Sequence, residues 1–232
     1  MPTISSSINT VQEQINAAAA EAGRDPAEIT LVAVSKRHTE DKIIEALEAG
    51  HFVFGENYVQ EGEQKVLSIK RKFPKSKFSC HFIGNLQSNK AKRAVGTFDV
   101  IETVDRLSLA EKISEVAVSR GIVQRIFVQV NISGEESKSG IDTQSVHALC
   151  SHANSLPGVS LEGLMAIGSF GDLEAQQKEF VALRELRDSV EDDLGIKLPH
   201  LSMGMSDSFE LAIKEGATCV RVGTAIFGQR PG

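Results

Sequence analysis

The feature that most constrains this chain is a strict alternation. Short β-branched and aliphatic runs recur at residues 29–36, 52–55, 78–83, 100–104, 125–130, 161–167, 200–203 and 218–222. Helical patterns fill the gaps, among them 39–49, 106–120, 143–154 and 173–194, and an alanine-rich amphipathic segment at 8–22 precedes the first run and stops at Gly23. Runs this dense in apolar residues suit strands covered on both faces. Strand and helix repeating without a Pro/Gly/Ser-rich linker predicts parallel strands joined by right-handed crossovers. Eight such units predict an α/β fold: a single TIM-type (β/α)8 barrel with an extra N-terminal helix, residues 1–232 forming one domain. A doubly wound open sheet is the alternative topology.

Closure into a barrel makes the last strand the neighbour of the first, so Lys36 and Arg221 become adjacent although they stand near opposite ends of the sequence. Ligands of such folds bind at the C-terminal ends of the strands. The residues just past the runs are rich in Gly, Ser, Thr and Asn, which allow close backbone approach and offer neutral hydrogen bonds to a small polar ligand.

Composition narrows the partner. The chain has 25 basic and 31 acidic residues, a net of −6, and its one basic group, Lys70 to Lys72 with Lys75 and Lys77, falls between a helix and a strand as a solvated turn. Nucleic acid is therefore not expected as a partner. The three cysteines, Cys80, Cys150 and Cys219, are far apart and form no CxxC pair, which fits a reducing compartment. Cys80 and Cys219 lie inside apolar runs and read as core residues. A polar N-terminus, and no stretch near the roughly 18 apolar residues a membrane helix requires, predict a cytoplasmic protein without a membrane partner.

Lys36 closes the run Ile29-Thr30-Leu31-Val32-Ala33-Val34-Ser35-Lys36. A desolvated lysine loses part of its preference for the charged form, and the neutral amine condenses with an aldehyde or ketone to give a Schiff base. A lysine snorkelling to water is the structural use of the same residue. After the seventh run, Ser202-Met203-Gly204-Met205-Ser206-Asp207-Ser208 leads into a helical pattern that Ser206 is placed to cap; after the eighth, Gly223-Thr224 opens another short helix. Unpaired N–H groups at two helix starts, with the Ser206 and Thr224 hydroxyls, would suit a dianionic phosphate, a group that barrels of this type often hold there. Each cap alone is an ordinary structural device. Asp207 would repel such an anion, and its side chain is expected to turn toward the helix flank. Arg221 stands between Val220 and Val222 and points into the barrel if those valines pack outward. There it either pairs with an interior carboxylate such as Glu102 or Glu162 or donates to a ligand.

At this point the sequence resembles a known family. The segments Val32-Ala33-Val34-Ser35-Lys36, Phe54-Gly55-Glu56-Asn57-Tyr58-Val59-Gln60-Glu61, His81 to Lys90, Gly163-Leu164-Met165, Leu201 to Asp207 and Val220 to Gly228 closely resemble the pyridoxal phosphate homeostasis protein family, over almost the whole chain. The resemblance implies a fold-type III pyridoxal phosphate barrel like that of alanine racemase, without its second β domain, and pyridoxal 5′-phosphate (PLP) as cofactor. It implies Lys36 as the internal aldimine, Ser206, Gly223 and Thr224 around the phosphate, Arg221 at the pyridine nitrogen, and Asn57 lining the pocket. His81, Asn85 and Lys138 fall in family-like segments and are placed near the pocket mouth, with a satisfied strand histidine as the other reading of His81.

The charge of Arg221 bears on mechanism. A permanent cation facing the pyridine nitrogen disfavours its protonation and weakens the ring as an electron sink. Racemases with this barrel add a tyrosine base from a second domain, and the only tyrosine here is Tyr58. The expected function is therefore a PLP carrier in intracellular PLP homeostasis that holds and releases the cofactor without catalytic residues, metal or robust turnover of its own. It would act as a monomer and meet PLP-dependent apoenzymes transiently. A racemase-like PLP enzyme and a cofactor-free Schiff-base aldolase are the alternatives.

Overall fold

Each of the eight apolar runs becomes a strand in the computed structural model, which describes residues 3–135 and 138–229. The strands are β1 (Thr30–Val34), β2 (Val53–Glu56), β3 (Ser79–Phe82), β4 (Val100–Val104), β5 (Gln124–Val130), β6 (Val159–Ala166), β7 (His200–Ser202) and β8 (Cys219–Val222). All pair in parallel, in chain order, and β8 pairs back onto β1 with Arg221 opposite Val32 and Val222 opposite Ala33. The barrel is closed, and the open sheet is excluded.

Side-chain alternation sorts the strand residues. In β8, Val220 and Val222 join the large apolar core between strands and helices, whereas Cys219 joins Val100, Phe127 and Met165 in a small cluster of its own inside the barrel. The interior is filled to the point that a Cβ at Gly55 on β2 would lie 2.9 Å from Val32 Cγ1 and 3.0 Å from Ile83 Cδ1. All three cysteines are buried; burial pushes the Cys219 and Cys150 thiols up to about 12 and that of Cys80 well above its ordinary value, so none is poised as a nucleophile.

The helices are α1 (Ile4–Glu21), α2 (Glu40–Glu48), α3 (Val59–Lys72), α4 (Ala91–Ala94), α5 (Leu107–Ser119), α6 (Val146–Ser155), α7 (Leu173–Leu194), α8 (Phe209–Lys214) and α9 (Thr224–Phe227). The first begins at Ile4 rather than residue 8, because the Thr3 hydroxyl accepts from the Ser6 amide at 3.1 Å and caps a serine-rich first turn. It buries Ile8, Val11 and Ile15 and packs against α8, α9 and α2. Among the described residues only the four of α9 are helical after β8, and α1 takes the place of an eighth outer helix beside the β8–β1 seam. The basic group at residues 70–77 is exposed, with Lys70 and Lys72 paired to Asp99 and Glu40. Among the described residues, no helix is long and apolar enough to cross a membrane.

Candidate functional site

The strand ends surround a cavity of about 130 Å³ lined by Val34, Lys36, His38, Asn57, Ile83, Ile167, Met205, Ser206, Arg221, Gly223 and Thr224. Lys36, Asn57, Ser206, Arg221, Gly223 and Thr224, selected from the sequence, therefore share one chamber. They differ in depth. Arg221 is buried at the floor, Lys36, Asn57, Ser206 and Gly223 are half-buried, and Thr224 is exposed at the rim. Charge that never leaves lies deepest, and the hydroxyl and peptide groups face water.

The first strand stops at Val34, so Lys36 sits in the turn beyond it rather than in the strand. That turn is tightly held. The Ser35 amide donates to the Gly55 carbonyl at 3.0 Å, and the Ser35 hydroxyl donates to Glu56 Oε1 at 2.7 Å. Lys65 Nζ on α3 donates to the Ser35 carbonyl at 2.9 Å, to Glu56 Oε1 at 2.8 Å and to Glu61 Oε1 at 2.6 Å. Burial pushes the Glu56 carboxyl above its ordinary value, outweighing the pull of Lys65 and Ser35 in the other direction. Across the cavity floor, Arg221 Nη1 donates to the Ser202 hydroxyl at 2.6 Å and Nη2 to the Ala166 carbonyl at 2.8 Å. Ser202 in turn donates to Glu102 Oε2 at 2.5 Å, and His81 Nδ1 pairs with Glu102 Oε1 at 2.5 Å. The interior-carboxylate reading of Arg221 holds in relayed form, its charge answered by Glu102 through Ser202, and the residue also lines the cavity. Burial pushes the Glu102 carboxyl up, but the hydrogen bond and charge of His81, the charge of Arg221 and the Ser202 hydroxyl overcome this and hold it below its ordinary value. Burial also draws the Arg221 guanidinium down, against the attraction of Glu102.

At the rim, the helix after β7 is capped differently from the expectation. Its N-cap is Ser208, not Ser206, and the Ser208 hydroxyl turns back to accept from the Met205 amide at 3.3 Å. In this loop Gly204 adopts φ +89° and lies so close to α8 that a Cβ there would stand 2.6 Å from Ala212 Cβ. Ser206 is left as a cavity-wall residue. Asp207 is exposed and lines an outer groove between α7 and α8 instead of the cavity. Gly223 is the N-cap of α9, and Lys42 of α2 donates to the last carbonyl of that helix, at Phe227, at 2.7 Å.

With this geometry in place, comparison with known proteins is informative. The family described as the alanine racemase N-terminal domain matches residues 7–231. A pyridoxal phosphate homeostasis protein of Pseudomonas aeruginosa is 43% identical over 231 residues, covering 99% of this chain and 97% of the relative; one from Escherichia coli is 41% identical over 236 residues, covering 99% and 98%. The structure of PipY from Synechococcus elongatus, solved with PLP bound, is 33% identical, superposes with a TM-score of 0.85 and covers 97% of this chain and 100% of its own. The chain belongs to the pyridoxal phosphate homeostasis protein family. An alanine racemase of Clostridium difficile, 16% identical with a TM-score of 0.74, shares the fold across 57% of its own length.

Of the three further residues in segments typical of the pyridoxal phosphate homeostasis family, Asn85 and Lys138 line a neighbouring hollow that shares Asn57, Ile83 and Ile167 with the cavity. His81 is not at the mouth. It is buried in the barrel against Glu102, so its reading as a satisfied strand histidine is the correct one. Lys65 was not singled out from the sequence, because it stands in a helix rich in charge. The signal was present: Glu61 and Lys65 are an i, i+4 pair facing a strand that ends in Glu56.

Proposed function

We propose that this barrel binds PLP and serves its homeostasis, holding the cofactor on Lys36 and releasing it without sustained turnover of a substrate. The observation that carries the reading is the meeting, in one cavity, of an amine from the end of β1, a guanidinium from β8, and hydroxyl and peptide groups from the loops after β7 and β8. The names of the curated relatives and the PLP-bound PipY structure support it.

The residues present fit the group. PLP, when bound, supplies an aldehyde with which a lysine amine condenses reversibly, releasing water. Lys36 provides that amine from a half-buried turn. The Ser206 hydroxyl and the opening N–H groups of α9, at Gly223 and Thr224, hold a dianion where helix starts have unpaired donors. Arg221, using Nη1 and Nη2 once each within the protein, has N–H groups left for the ring nitrogen. Because the guanidinium donates a hydrogen bond without surrendering its proton, it keeps that nitrogen unprotonated. Asn57 Oδ1 is buried in the wall without a hydrogen-bond partner among the described residues, an acceptor ready for a ligand hydroxyl.

Two features favour a carrier over an enzyme. Arg221 weakens the electron-withdrawing power on which carbanion chemistry depends. The one tyrosine, Tyr58, is 46% exposed, accepts from Arg37 Nη2 at 3.2 Å, and does not line the cavity. Release to PLP-dependent apoenzymes is the transfer this reading implies. The test is spectroscopic: the protein with added PLP is expected to show an absorption band near the visible edge that Lys36→Ala removes. A protein that stays colourless refutes the anchor, and appreciable amino-acid racemisation abolished by Lys36→Ala refutes the carrier role.

A further inference from the structure

We infer that Lys65 is a positioning residue that sets where the Lys36 amine projects, by holding both peptide groups that flank it. The inference rests on the reading of Lys36 as the cofactor's anchor and names a residue that never touches the cofactor.

The peptide unit before Lys36 carries the Ser35 carbonyl, which accepts directly from Lys65 Nζ at 2.9 Å. The unit after it carries the Arg37 amide, which donates to Glu61 Oε1 at 2.6 Å, the same oxygen that accepts from Lys65 at 2.6 Å. A second carboxylate, Glu56, joins through Oε1 to both Lys65 and the Ser35 hydroxyl. One ammonium thus spends its three N–H groups on three acceptors, and all three bear on the turn. Lys65 is 8% exposed and Glu56 1%. Burying an ion is costly unless it is paired and hydrogen-bonded.

The turn needs such a hold. Arg37, immediately after Lys36, has φ +62°, the only positive φ at a non-glycine residue among those described. A side chain in the left-handed region persists only where its surroundings over-determine it. Glu61 supplies one restraint through the Arg37 amide, and Tyr58 supplies another, its hydroxyl and ring meeting the Arg37 guanidinium. Without Lys65, Glu61 and Glu56 would repel each other, the Ser35 carbonyl would lose its partner, and the turn could relax, moving the amine relative to the loops after β7 and β8.

The test is a double-mutant cycle on PLP binding, read by fluorescence titration, in the parent protein, Lys65→Met, Lys36→Ala and the double variant. Lys65→Met is expected to weaken binding by about tenfold or more where Lys36 is present and by less than about twofold where it is absent. At saturation, Lys65→Met is also expected to show a weaker visible-edge band per bound cofactor, which simple loosening of the fold would not produce. An equal loss in both backgrounds, or no loss in either, overturns the proposal. If Lys65→Met does not fold, Glu61→Ala, at a partly exposed side chain, removes the Arg37 acceptor and enters the same cycle with the same expected sign. A parent without a Lys36-dependent band sinks the anchor reading; a parent with the band but no coupling sinks only the role of Lys65.

Discussion

Single side chains at this site divide by depth, and their predicted effects follow. Thr224 is at the exposed rim, so Thr224→Ala would remove one proposed hydroxyl contact to the anion and leave the peptide donors in place. The expected cost is roughly 1 to 3 kcal/mol of PLP affinity, measured by equilibrium titration, and an unchanged affinity would argue against the phosphate assignment. The two buried carboxylates have opposite pH signatures. Glu102 is held below its ordinary value of 4.5, so its stabilising contribution is present above that pH and is lost as acid protonates it in the folded protein. Glu56 is raised above the same value, so its contribution is present below 4.5 and is lost as pH rises through the folded-state value. Thermal midpoints followed across the acidic range should therefore fall less steeply toward low pH in Glu102→Gln than in the parent. In Glu56→Gln the decline on the rising side should flatten. The cavity residues were legible in the sequence because each lies at or a few residues beyond the C-terminal end of a strand, where barrel geometry aims it at the centre. Of the Arg221–Ser202–Glu102–His81 chain only Glu102, as one of two candidate partners of Arg221, was legible, since alternation tells which side chains face inward but not which of them meet across the interior.

Among the elements, α3 shows why charge patterns mislead. Gly62 brings the helix so near β2 that Lys65, nearly one turn on and amid charged neighbours, reaches the turn after β1. A Cβ at Gly62 would lie 2.8 Å from the Phe98 ring and 3.0 Å from Glu56 Cβ. Gly62→Ala should therefore destabilise the protein by about 1 to 3 kcal/mol through overpacking, despite alanine's better helix propensity. A lower urea midpoint would show it, and an unchanged one would mean that α3 can shift outward freely. Strand and helix order were readable from periodicity alone. Element ends were less so: local devices set them, such as the Thr3 cap and the cap moved to Ser208, and these depend on loop geometry that a run of residue types does not specify.

Over the whole molecule, closure of the barrel followed from counting units, but the place of the first helix did not. Only the brevity of α9, a matter of four residues, leaves room beside β8 and β1 for α1. The apolar stripe of α1 should then belong to the common core. Ile15, fully buried, should cost about 2 to 5 kcal/mol when replaced by alanine, seen as a lower thermal midpoint. Ligand linkage should act in the other direction: PLP at a hundred times its dissociation constant is expected to stabilise the parent by about 2.7 kcal/mol, and Lys36→Ala should reduce that gain at the same concentration.

Because β8 pairs with β1, the amine and the loops proposed to hold the two ends of the cofactor, far apart in order of synthesis, come together only when the barrel closes. A ribosome delivers the lysine early and the loops after β7 and β8 only after nearly every other strand. On the proposed reading, a chain lacking its last two strands would have an amine for the aldehyde but no seat for the phosphate, so full retention of the vitamer would report that the ring has shut.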